Sequence, residues 1–202
     1  MYHHGVDSVA GFVLAGGKSS RMGQDKAFMQ FGQRTLLEHA LELARAATGD
    51  AWIVGSAERF ASFGPLVEDI YPGRGPLAGI QAALAGSRTE LNLILAVDMP
   101  FLQLDFLHYL IARAGASPAQ VVVPRADGGF QPLCAVYRKD LAEVARRSLE
   151  AGKNKIDPLF TEVQTLIIEP PELERNGFAE DMFRNLNTEQ DWQEAKQKLA
   201  SR

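Results

Sequence analysis

The chain has 202 residues, 46% hydrophobic and 23% charged, which suits one globular domain with ample room for a buried core. Its net charge of −4 gives no bulk attraction for nucleic acid or an acidic membrane, so neither is an expected partner. Any polyanion must be met by a local cluster of cations. No apolar run nears the roughly 18 residues of a membrane span, the opening Met1-Tyr-His-His-Gly5 lacks the basic and apolar regions of a signal peptide, and the single Cys134 allows no internal disulfide. The expected location is the cytoplasm.

Val9 to Leu14 is an apolar run of strand length that breaks into Gly16-Gly17 and a loop carrying Lys18, Arg21 and Lys26. Adjacent glycines let a backbone turn approach a ligand closely, and convergent N–H groups in such a turn bind anions. With only Asp25 opposing three cations, the loop points to a polyphosphate. It is not a P-loop, because Phe12 stands where that pattern needs glycine, and the dinucleotide fingerprint G-x-G-x-x-G is absent.

Thr35-Leu-Leu-Glu38 is a capping-box sequence, and Leu36, Ala40, Leu43, Ala44 and Ala47 continue at helical spacing to Gly49. Ala51 to Val54 reads as a strand, Ala57 to Phe63 as a weak helix ended by Gly64-Pro65. Pro76 and Gly86 bracket a helix over Leu77 to Ala85. Leu91 to Val97 is the most apolar strand, with Asp98 at its carboxyl end. A helix through Phe106, Leu110 and Ala114 stops at Gly115. Val121 to Val123 and Leu133 to Tyr137 read as strands separated by a turn rich in Asp and Gly. A helix over Leu141 to Leu149 is stopped by Gly152, Leu166 to Ile168 is a late strand, and Pro170-Pro171 through Gly177 reads as a flexible insert. Thr188 caps the last helix, through about Leu199.

Strands that alternate with helices and are continuously apolar predict an α/β fold: a single three-layer α/β/α domain, 1–202, around a mostly parallel sheet. In such sheets ligands bind beyond the carboxyl ends of the strands, where the Leu14–Gly17 turn, Asp69, Asp98 and Asn185 are expected to meet. A carboxylate such as Asp98 in that place suits Mg²⁺ held between protein and phosphate oxygens; as a bare sequence feature it reads equally as a turn residue. Arg21 can grip phosphate in a bidentate fashion, and Lys26 supplies a compact charge. His39 and His108 fall on polar helix faces, and no histidine has a partner at metal-ligand spacing.

Four segments then carry a resemblance over roughly residues 9 to 192. Leu14-Ala-Gly-Gly-x-Ser-x-Arg-Met-Gly-x-Asp-Lys26, Asp69…Pro72-Gly-x-Gly-Pro-Leu-x-Gly79, Asp98-Met-Pro100 and Asn185-x-Asn-Thr188 resemble the motifs of the molybdenum cofactor guanylyltransferases, which share the Rossmann-like sugar-nucleotide pyrophosphorylase fold. The resemblance implies Mg²⁺-dependent (or Mn²⁺-dependent) transfer of GMP from GTP to the terminal phosphate of molybdopterin cofactor, with release of pyrophosphate. It implies Arg21, Lys26 and Asp98 as catalytic, with Asp98 on the metal. Leu14, Ala15, Gly16, Gly17, Lys26, Ser56, Asp69, Gly75, Pro76, Leu77, Gly79 and Asp98 are its nucleotide residues. Gln131, Asn185 and Asn187 are its acceptor residues. Residues 8–115 would then bind nucleotide and 116–202 the acceptor, with cofactor-insertion enzymes as further candidate partners. One departure stands out: the family's base-reading asparagine is replaced by Gly55-Ser56-Ala57, so base recognition falls to the backbone around Leu14 and Gly16 or to Ser56. A cytidylyltransferase on the same cofactor, a sugar-phosphate nucleotidyltransferase and a non-catalytic nucleotide-binding protein are the alternatives.

Overall fold

The computed structural model describes residues 8–16 and 25–200, with side chains described through residue 197. Strand β1 (Val9–Leu14) leads, after a 3₁₀ turn at Lys26–Phe28, to a small hairpin of β2 (Gln30–Phe31) and β3 (Arg34–Thr35). Helix α1 (Leu36–Thr48) follows; Thr35 and Glu38 form the reciprocal cap, and Gly49 ends it at φ 84°, a left-handed geometry that favours glycine. Then come β4 (Ala51–Val54), α2 (Ala57–Phe60) with a 3₁₀ extension at Ala61–Phe63, β5 (Leu66–Val67), α3 (Pro76–Gly86), β6 (Leu91–Ala96) and α4 (Leu104–Gly115). The second half holds β7 (Val121–Ala126), β8 (Gly129–Phe130), β9 (Cys134–Arg138), α5 (Leu141–Glu150), α6 (Leu159–Glu162), β10 (Thr165–Ile168), α7 (Pro170–Arg175) and α8 (Glu189–Ala200).

The main sheet runs β10-β7-β9-β6-β1-β4-β5, with β8 paired to β7. All its long-range pairings are parallel except those of β9, which lies antiparallel between β6 and β7. The mostly parallel sheet expected from the continuous apolar runs is therefore present, with β8 and β9 reversed after the turn at Asp127 (φ 51°) and Gly128 (φ 75°). Strands buried on both faces need covering layers. One face packs Val13, Ile53 and Leu93 against Leu37, Leu41, Phe106 and Leu110. The other packs Phe12, Ile94 and Val123 against Leu77, Ile80, Ala145 and Leu149. A third, smaller cluster joins Phe31 and Leu36 to Leu186, Trp192 and Ala195, tying α8 to the early hairpin.

Two sequence expectations are corrected. The flexible insert at Pro170–Gly177 is helix α7 over most of its length. Prolines fill its first positions, where no N–H is needed, and Leu173 is fully buried in the core. His39 is not on a polar face: it is half-buried, its ring lies against Phe31, and Nε2 donates to the Pro100 carbonyl at 3.0 Å. His108 is exposed as expected. Among the described residues no helix is long and apolar enough to cross a membrane.

Candidate active site

A cleft of about 140 Å³ opens beyond the carboxyl ends of β1 and β6, lined by Leu14, Gly16, Lys26, Pro76, Asp98 and Leu133 among others. Each wall has a local cause. The β1 turn is fixed by the Ala15 N–H donating to the Val54 carbonyl at 3.1 Å. Gly16 lies next to Gly55: a Cβ on Gly16 would sit 4.0 Å from the Gly55 Cα. Lys26 begins the 3₁₀ turn, which Asp25 caps by accepting from the Ala27 N–H at 3.2 Å, while Ala27 is fully buried and anchors it. The other Asp25 oxygen pairs with Arg59. Asp98 follows the buried β6, and its own carbonyl accepts from the Leu186 N–H at 3.0 Å, which docks the segment carrying Asn187 beside it.

The polar centre is the Lys26 ammonium. It donates to Asp98 Oδ2 at 3.1 Å and to Asn187 Oδ1 at 2.6 Å. Both partners of the ion pair are largely shielded, at 16% and 21% exposure, so their attraction is stronger than that of a surface pair. Three residues singled out from separate motifs therefore touch directly. Asn185 Oδ1 is buried with no hydrogen-bond partner among the described residues, an acceptor available to a donor those residues do not supply.

The other expected residues fall in different places. Gly75 begins α3 at φ 76° and Pro76 is its first residue, so this helix N-terminus, with no side-chain cap, faces the cleft and favours an anion. Leu77 is fully buried in the core, and Gly79 gives α3 room against Leu14, whose Cδ2 would lie 3.0 Å from an added Cβ. These two are packing positions as far as their side chains go. Asp69 follows β5, and its carboxylate accepts from the Tyr71 N–H at 2.7 Å, outside the cleft lining. Ser56 is exposed at the start of α2 and makes no capping bond. Gln131 donates to the Ala126 carbonyl and so braces the β7–β9 turn. Arg21 and Gly17, with Lys18, lie outside the described residues.

Sequence reasoning missed Leu133 and Val97 as cleft walls and Arg59 as the partner of Asp25. Only their neighbourhood in the sheet brings them there. Cys134 is fully buried, and burial pushes its thiol pKa well up, which leaves it a packing residue.

A divalent cation fits this donor set. The Asp98 carboxylate and Asn187 Oδ1 are hard oxygen donors that meet at the Lys26 ammonium, which already marks the place where positive charge is held. Among the described residues no cluster of three His, Cys, Asp or Glu could cage a metal alone.

The chain is similar to several known proteins over nearly its whole length. A probable molybdenum cofactor guanylyltransferase of Carboxydothermus hydrogenoformans is 34% identical over 90% of this chain and 91% of its own. A molybdenum cofactor guanylyltransferase of Desulfosudis oleivorans is 31% identical over 94% and 95%. The crystal structure of molybdopterin-guanine dinucleotide biosynthesis protein A from Archaeoglobus fulgidus superposes with a TM-score of 0.84 at 25% identity, covering 96% of this chain and all of that one. The model of the MobA-like NTP transferase domain matches residues 11–164, from inside β1 to the approach to β10. With the cleft at the ends of β1 and β6 inside that span, the chain belongs to the family of MobA-like NTP transferases.

Proposed function

We propose that the chain transfers GMP from GTP to the terminal phosphate of molybdopterin cofactor, giving the guanine dinucleotide form and pyrophosphate. The observation that supports this most is the contact of Lys26 with both Asp98 and Asn187 at the mouth of a glycine turn. In the reaction an oxygen of the acceptor phosphate attacks the α-phosphorus of GTP, and the bond to the β-phosphate oxygen breaks. The acceptor needs no general base, because a phosphate monoester with a second pKa near 6 is already largely dianionic at pH 7. What the protein supplies is alignment and charge. Lys26 leaves Asp98 to neutralise the triphosphate near its α-phosphate, and Arg21 holds phosphate oxygens with it. The turn at Gly16 and the Gly75 N–H where α3 begins would offer backbone donors to the phosphates. Asp98 would hold Mg²⁺ (or Mn²⁺), which when bound offsets charge on the leaving pyrophosphate. Asn185, Asn187 and Gln131 would serve the acceptor, with residues 8–115 mainly serving nucleotide and 116–202 mainly serving acceptor. A cytoplasmic setting fits a chain whose one thiol is buried and inert; cofactor-insertion enzymes would receive the product.

The test is pyrophosphate release with molybdopterin cofactor and GTP, CTP or ATP. GTP should be preferred. A preference for CTP would assign the chain to the cytidylyl relatives, and no release with any of them would leave a binding protein.

A further inference from the structure

Asn187 lies on an exposed segment between the buried Leu186 and α8, so something must aim its Oδ1 at Lys26. On one side Leu186 is fixed by its N–H bond to the Asp98 carbonyl and by its burial with Trp192. On the other side stands Asp191. Its Oδ2 accepts from the Asn187 N–H at 3.1 Å, the Thr188 N–H at 2.8 Å and the Thr188 hydroxyl at 2.8 Å. Its Oδ1 accepts from Arg184 at 2.8 Å, and Arg184 also reaches Glu194 at 2.6 Å. A helix cap explains part of this: the Asp191 N–H donates to Thr188 Oγ1 at 3.1 Å, and the carboxylate returns the bond to the Thr188 N–H. The bonds to Asn187 and Arg184 act on residues that precede the helix and add nothing to its cap.

We infer that Asp191 is a positioning residue: with Arg184 it clamps both sides of residues 185–187 so that Asn187 meets the Lys26 ammonium. The carboxylate is well suited to this because Arg184, and then Thr188 and the backbone N–H groups, hold its pKa far below the usual carboxylate range. It therefore stays an acceptor at every working pH. Substitution by asparagine puts an amide NH₂ at one of the two oxygens, so either Arg184 or the three donors on Oδ2 lose their acceptor.

The inference rests on the reading of Lys26 as the phosphate-facing cation, and a double-mutant cycle tests it separately. A hydrogen bond to a charged group is worth roughly one to two powers of ten in an equilibrium or rate. Asp191→Asn should therefore lower kcat/KM about tenfold in the parent and less than twofold in an Asn187→Ala background. Arg184→Gln, which leaves the cap intact, should show the same coupling to a smaller degree, and it serves if Asp191→Asn does not fold. A role limited to capping would lower the melting temperature equally in both backgrounds and leave kcat/KM unchanged well below it; that result overturns the inference. Should the parent release no pyrophosphate with any nucleotide, the proposed reaction fails on its own. The Asn187 side-chain amide signals in ¹⁵N NMR then decide: displaced from random-coil positions in the parent and averaged in Asp191→Asn supports the clamp, and identical signals in the two refute it.

Discussion

Lys26→Met isolates the competition built into the cleft. With the ammonium 3.1 Å from Asp98 Oδ2, a divalent cation approaching that carboxylate meets a positive charge already in place. Two unit charges at that distance interact by about 5 kcal/mol at an effective dielectric of 20 and about 1.3 kcal/mol in bulk water. Both side chains keep some solvent contact, so an intermediate figure of about 2 kcal/mol is appropriate, which corresponds to roughly a 30-fold change in affinity. Lys26→Met should thus bind Mn²⁺ about 10- to 100-fold more tightly than the parent in the absence of nucleotide. The electron paramagnetic resonance signal of free Mn²⁺ measures this directly, and Asp98→Asn in the same background should abolish the gain. In the parent, added GTP should raise Mn²⁺ affinity, because the triphosphate draws the ammonium from Asp98. If Lys26→Met binds Mn²⁺ no more tightly than the parent while Asp98→Asn still weakens it, the ammonium does not compete for the seat and the reasoning is wrong.

Two other perturbations test the scaffold. Burial, opposed in part by the bond to the Pro100 carbonyl, lowers the His39 pKa below its ordinary value of about 6.5. The unfolded chain therefore binds the proton more readily, so the stabilising effect is complete above pH 6.5 and is lost as pH falls through the lower folded value. The melting temperature should drop between pH 7.5 and 5.5, and His39→Gln should flatten that slope; an unchanged slope would place the titration elsewhere. Gly55→Ala puts a Cβ 2.8 Å and 3.0 Å from ring atoms of the fully buried Phe60, and should cost about 1–3 kcal/mol in a urea melt. An unaltered midpoint would mean that the ring moves freely.

What was legible in the sequence is what is decided locally. Thr35, Glu38 and Gly49 set both ends of α1 through bonds within a few residues, and their pattern can be read directly. The apolar runs at Val9–Leu14 and Leu91–Ala96 announce buried strands in the same way. Direction is not local: nothing in Cys134–Arg138 tells that it runs against both neighbours, and only the Asp127-Gly128 turn hints at a hairpin. The motif glycines were legible as a group but not in their parts. Gly79 serves helix packing against Leu14, whereas Gly75 allows a positive φ where α3 begins. Double proline was misread at 170–171 because it breaks a helix in the middle yet starts one at the end. The meeting of Lys26 with Asn187, and the pairing of Asp25 with Arg59, depend on the assembled fold and leave no mark on the intervening sequence.

Lys26 and Asn187 stand 161 positions apart, and every strand of the main sheet is complete by Ile168. A chain emerging from the ribosome could thus pair these strands while Lys26 still lacked its Asn187 acceptor. Loss of the tail from Arg184 onward, by a protease or a premature stop, would remove Asn187 and uncover Phe31 and Leu36 while sparing the ten strands among the described residues. The seat around Lys26 is therefore finished late: only a chain that extends through Asn187 can supply its second acceptor.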